Sequence, residues 1–180
     1  MTRQSDANGT IVVLGASGPD SELSEKLMLF GQFVGDWDIL EDRFFQHDGT
    51  EVVHEGELHW RWILEGKAVQ DVWMYYDKDA RRPIPGGTTI RFYDPEIDAW
   101  HSVWISPIQD VVMQFIGRKI GDEIVLEGKS KEGDLVKWTF SEVKANSFQW
   151  RAEESKDDGK TWVLEEKMRI RRRDKVPGSE

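Results

Sequence analysis

The first regular pattern along the chain is helical. Over residues 21–34, Leu23, Leu27, Phe30 and Val34 recur at helical spacing behind Asp20 and Ser21, which favour a helix start, and Gly35 closes the run. The spacing predicts one short helix whose apolar stripe must be covered. From Asp36 onward the period changes to two. In residues 50–64, Val52, His54, Gly56, Leu58, Trp60, Trp62 and Leu64 share one face, while Glu51, Glu55, Glu57, His59, Arg61 and Glu65 hold most of the other. The alternation returns in Val136, Trp138 and Phe140, and in Trp162, Leu164, Met168 and Ile170 against Glu165, Lys167, Arg169 and Arg171. About nine or ten such runs are separated by turn signals. These are His47-Asp48-Gly49, Asp94-Pro95, Gly121-Asp122, Glu132-Gly133-Asp134, Asn146-Ser147 and Asp157-Asp158-Gly159.

Such short connections make sequential strands antiparallel neighbours, and many of them in series would leave exposed edges unless the sheet closed. The pattern therefore predicts an all-β domain over residues 21–173. Its expected form is a closed antiparallel up-and-down β-barrel with one short N-terminal helix. A polar, Gly/Ser-rich stretch at residues 1–20 reads as a flexible arm, and residues 174–180 as a tail. Residues 77–87, with Arg81, Arg82, Pro83 and Pro85, form either a lid or a plain surface loop. Within the arm, Val12-Val13-Leu14-Gly15-Ala16-Ser17-Gly18 is similar to the opening of a dinucleotide-binding fold. The full glycine spacing and the crossover helices are missing, so no such cofactor is expected.

Phe33-Val34-Gly35-Asp36-Trp37, at the passage from helix to first strand, resembles the Gly-x-Trp signature of the calycins, the superfamily of lipocalins and fatty-acid-binding proteins. The wider pattern adds Gly56, Ile63-Leu64-Glu65-Gly66-Lys67, Phe92-Tyr93-Asp94, Trp100 and Gly117. Over residues 22–173 it resembles a bacterial lipocalin-like family of no single agreed activity. The resemblance implies a Trp37 that plugs the barrel floor beneath the helix. It also implies a basic residue of the last strand stacked over that ring, with Arg169 and Arg171 as candidates.

Composition narrows the function. Twenty-four Lys and Arg stand against 34 Asp and Glu, a formal charge of −10, which argues against nucleic acid or an anionic membrane as partner. Cysteine is absent, removing disulfides, thiolate catalysis and Cys-ligated metals and fitting a cytoplasmic location. No stretch reaches the roughly 18 to 20 apolar residues of a membrane span. The four histidines, His47, His54, His59 and His101, lack a zinc spacing, so no metal is expected. A haem held by one histidine, as in barrels of the nitrobindin type, would need only one His in an apolar wall. The expectation remains no cofactor.

Nine Trp and eight Phe offer large planar surfaces for a core or a cavity wall. Trp60, Trp62, Trp104, Trp138 and Trp150 are the candidate walls. Polar residues at interior parity are costly unless paired, so His54, Gln70, Glu154 and Glu166 stand out, with Tyr76 at the same parity as Gln70. His54, Glu154 and Glu166 are candidates for acid–base roles. In residues 98–106, Trp100, Ser102, Trp104 and Ser106 share one face. If that face is inward, two hydroxyls join the aromatic walls and His101 lies outside. The first reading is a binding module that carries or sequesters a small apolar or aromatic molecule. The alternatives are a cofactor-free cyclase or isomerase acting on a polyketide- or polyene-like substrate, and a structural or oligomeric barrel with a packed interior. A homodimer is a further expectation.

Overall fold

In the computed structural model, which describes residues 14–77 and 82–173, one helix and ten strands form a closed antiparallel barrel. Helix α1 (Ser24–Gly31) precedes β1 (Gly35–Phe45), β2 (Glu51–Ile63), β3 (Ala68–Tyr75), β4 (Ile84–Asp94) and β5 (Ala99–Ser106). The ring continues with β6 (Val111–Ile120), β7 (Glu123–Lys129), β8 (Leu135–Lys144), β9 (Ser147–Ser155) and β10 (Val163–Arg172), which pairs with β1. All six turn signals fall at or beside hairpins between consecutive strands. Most of the arm at residues 1–13, the tail at 174–180 and residues 78–81 lie outside the described residues. The described end of the arm is tied down, with the Ala16 and Asp20 N–H groups donating to the Trp62 and Gly66 carbonyls.

The helix is shorter than its hydrophobic spacing predicts. The Asp20 carboxylate accepts from the Glu22 N–H, holding a turn before the helix, and Leu23 faces solvent. Leu27, Phe30 and Phe33 are wholly buried where β2 ends and β3 begins, so α1 plugs one end of the barrel. Burial of each such side chain stabilises by about 1.5–3 kcal/mol. Trp37 is buried beside them, its indole N–H donating to the Phe33 carbonyl at 2.6 Å. The basic residue over its ring is Arg172, with the guanidinium carbon 4.0 Å from the centroid. Neither Arg169 nor Arg171 makes this contact; Arg169 pairs outside with Glu41 at 3.6 Å.

Two bulges set which side chains reach the interior. In β1, Ile39 pairs with Gly56 and Asp42 with His54, so β1 advances three residues while β2 advances two. Asp42 and Phe44 thereby take the inward phase of Trp37 and Ile39. In β10, Leu164 pairs with Glu153 and Glu166 with Ala152, which separates Leu164 from the inward Glu166, Met168 and Ile170. The predicted common face of Leu164, Met168 and Ile170 is therefore broken. Residues 84–87, expected in a loop or lid, extend β4 and pair with β3.

Candidate functional site

Above the plugged floor the barrel interior holds a cavity of about 210 Å³ that opens toward the mouth. Trp60, Trp73, Trp104, Trp138 and Trp150 form its aromatic wall, with Leu58, Met113, Phe140, Phe148 and Met168 filling between them. Space for two of the rings comes from missing side chains in β4. A Cβ on Gly86 would lie 2.0 Å from the Trp73 ring, and one on Gly87 would lie 2.2 Å from the Trp104 ring.

The candidate residues divide. Trp60, Trp104, Trp138, Trp150 and Glu166 line this cavity. Trp62 is buried against Gly31 of α1 and is not among the lining residues. Ser102 points inward opposite Arg91 and is buried, yet also lies outside the lining. Gln70 and Tyr76 correct the interior-parity reading, because the neighbours Asp71, Trp73 and Tyr75 take the inward phase of β3. The Gln70 amide donates to the Thr88 hydroxyl at 3.0 Å, and the Tyr76 hydroxyl bonds Glu57. His54 is inward at the open mouth, its ring 6.0 Å from that of Phe44 and 5.9 Å from that of Tyr75. It lines a separate, wider pocket of about 730 Å³ at the rim, where Glu166 also appears. Glu154 pairs with Lys156 at 3.3 Å. His101 lies outside, stacked on Phe92. Among the described residues no three His, Asp or Glu side chains gather as a metal site, and no helix is long and apolar enough to cross a membrane.

Two polar pairs complete the interior, and of their four members the parity argument found Glu166. Near the floor, Arg91 forms a buried ion pair with Asp71. The guanidinium carbon sits 4.6 Å from the Trp60 ring centroid, 5.1 Å from that of Phe30 and 5.8 Å from that of Phe140. Burial pushes the Asp71 carboxyl up, against the opposing pull of Arg91 and Thr89. Three donors beside this pair, Trp60 Nε1, Arg91 Nε and Ser102 Oγ, have no hydrogen-bond partner among the described residues. An unmade bond of this kind costs about 1–3 kcal/mol.

Toward the mouth, Asp42 and Glu166 stand on the paired strands β1 and β10, close enough to shift each other's protonation. The Trp73 indole N–H donates to Asp42 Oδ2 at 3.1 Å. Asp42 Oδ1 has no hydrogen-bond partner among the described residues. Burial pushes the Asp42 carboxyl up to about 6 against the lowering effect of Glu166, Trp73 and His54. Burial, and then the Asp42 charge, holds Glu166 well above the usual carboxylate range.

Between about pH 4 and pH 7 the folded protein thus keeps protons that the unfolded chain releases, and its stability falls as pH rises through that window. Glu166→Gln removes one titrating partner. Relative to the parent it is expected to gain stability between pH 4.5 and pH 7.5, read from urea denaturation at both values. An equal difference at the two pH values would mean that the pair titrates alike in folded and unfolded chains.

No protein-family model matches the chain, and no curated protein matches it. Solved structures do. The crystal structure of Rv2717c from M. tuberculosis superposes with a TM-score of 0.56 at 8% identity, covering 83% of this chain and 98% of that one. The S-type phycobiliprotein lyase CPES from Guillardia theta superposes with a TM-score of 0.56 at 13% identity, covering 88% of this chain and 99% of that one. At these identities the likeness shows the fold.

Proposed function

We propose that the protein binds one small apolar or aromatic molecule inside the barrel, as a carrier or sequestering protein of calycin type in the cytoplasm. The observation that carries this reading is the interior cavity of about 210 Å³ walled by five indoles. An apolar cavity of about 150 Å³ admits benzene, so this one suits a molecule of one or two fused rings. A packed structural barrel would have filled the space with side chains.

A second reading, a cofactor-free isomerase or cyclase, is favoured by one feature. Glu166 lines the cavity, and burial raises its carboxyl well above the usual carboxylate range, the direction a general acid in an apolar site needs. A solved barrel of this fold is a phycobiliprotein lyase, so the scaffold is compatible with chemistry as well as with storage.

Titration with naphthalene and with coumarin is expected to quench tryptophan fluorescence saturably at one site per chain. Trp104→Ala should weaken binding by about fivefold or more, while Lys156→Ala on the outer rim leaves it unchanged. Absence of saturable binding for either probe would reject both cavity readings.

A further inference from the structure

We infer that the ligand is a flat, two-ring molecule polarised from end to end. A carbonyl-type acceptor enters first and meets Trp60 and Arg91 near the floor, and a hydroxyl or ring N–H at the trailing end donates to Glu166. The inference rests on the binding function proposed above and specifies the chemistry of its ligand.

Trp60, Asp71 and Arg91 each stand three residues from the floor end of their strands, and all three line the cavity. Trp60 and Arg91 are almost wholly buried. Trp60 Nε1 and Arg91 Nε nevertheless have no partner among the described residues, although the two side chains are in stacking contact. Two unmatched donors on stacked side chains that both border the cavity call for an acceptor. Arg91 already has Asp71 as its counter-charge, so a neutral acceptor completes the group without leaving an excess charge.

The opposite end has the reverse polarity. Glu166 stands three residues from the rim end of β10 and borders both the inner cavity and the rim pocket. Asp42, whose Oδ2 is held by Trp73 and whose Oδ1 is unmatched, is the neighbour toward which a Glu166 proton can be donated. A carboxyl that donates to a neighbour keeps its second oxygen as an acceptor, and Glu166 is the group that presents it to the cavity. The protein thus offers donors at the floor and an acceptor at the mouth, with indoles between. A ligand that satisfies both has an acceptor at one end and a donor at the other, joined by an aromatic body.

The test uses five probes of nearly equal size: 7-hydroxycoumarin, 7-methoxycoumarin, coumarin, 2-naphthol and naphthalene. They are titrated at pH 6, where the hydroxyls are protonated, with tryptophan quenching as the readout. 7-Hydroxycoumarin should bind tightest and naphthalene weakest. Coumarin and 2-naphthol should each lie between, with each polar end contributing about tenfold.

Trp60→Phe keeps a ring and removes the N–H. It should weaken coumarin and 7-hydroxycoumarin several-fold more than it weakens naphthalene and 2-naphthol. Glu166→Leu should erase the advantage of 7-hydroxycoumarin over 7-methoxycoumarin. Naphthalene affinity reports in each variant whether the cavity is intact.

Five probes binding within about twofold of one another, or Trp60→Phe weakening naphthalene as much as coumarin, overturns the polarity and leaves the binding function standing. Failure of every probe overturns both.

Discussion

Arg91→Met is expected to destabilise the barrel by about 3–5 kcal/mol at pH 7.5, because it leaves the Asp71 carboxylate buried without its counter-charge. The loss should be pH-dependent. Without the guanidinium, the buried carboxyl escapes its desolvation cost by taking up a proton, so its folded pKa rises further above the unfolded value. Stability of the variant then falls as pH rises, and its deficit against the parent should shrink markedly between pH 7.5 and pH 5. The double variant Asp71→Leu/Arg91→Met removes both charges and should come within about 1 kcal/mol of the parent. Urea denaturation of the parent and both variants at the two pH values checks this. A pH-independent deficit in Arg91→Met, repeated in the double variant, would assign the loss to the three ring contacts of Arg91 and not to its charge.

The architecture was legible because alternation and turn chemistry act locally. Thr50 to Leu64 reads as a strand with one wet face, and Glu51–Ile63 is that strand, with Leu58, Trp60 and Trp62 buried. The face of Trp100, Ser102 and Trp104, which alternation alone left open, is inward, in register with Gly117, Phe115 and Met113. Parity fails where the chain departs from period two. The bulge in β1 turns Asp42 inward where continued alternation from Trp37 and Ile39 would have chosen Glu41. The short turn at Leu64–Gly66, with Leu64, Glu65 and Gly66 at positive φ, resets the phase of the chain between β2 and β3. Gln70 was favoured over Asp71 because Val72 and Met74 make the outer face of β3 look like a core face.

The site was therefore read in part. Glu166 and four of the wall indoles were accessible to pattern, since large apolar residues flank them at even spacing. Asp42, Asp71 and Arg91 were not, since a charged residue in a strand is ordinarily a solvated one and only its partner on the neighbouring strand makes it tolerable inside. Arg91 and Asp71 are 20 residues apart and meet through the pairing of β3 with β4. Arg172 was within reach, for it shares parity with Met168 and Ile170, whereas Arg169 and Arg171 lie on the opposite face.

Trp37→Ala is expected to cost about 3–5 kcal/mol, the range for emptying a large aromatic site in a core that cannot collapse around it. Trp37 is 1% exposed and meets Phe148 edge-on at 4.9 Å between ring centroids. The surroundings are held from several sides. Arg172 donates to the Val34 and Gln32 carbonyls at 3.0 and 2.8 Å and to the Ala145 carbonyl at 2.9 Å. It therefore cannot swing in to fill the space, and the removed indole also leaves the Phe33 carbonyl without its donor. Trp37→Phe retains most of the ring area and loses only that hydrogen bond, so it should cost about 1–2 kcal/mol. Because Phe33 joins Trp37 to the end of α1, the alanine variant should also show faster amide exchange across Ser24–Gly31 than in the strands far from the floor. Chemical denaturation gives the first two values and hydrogen exchange the third. A loss below about 1 kcal/mol for Trp37→Ala would mean that the helix and Arg172 hold the floor without the indole.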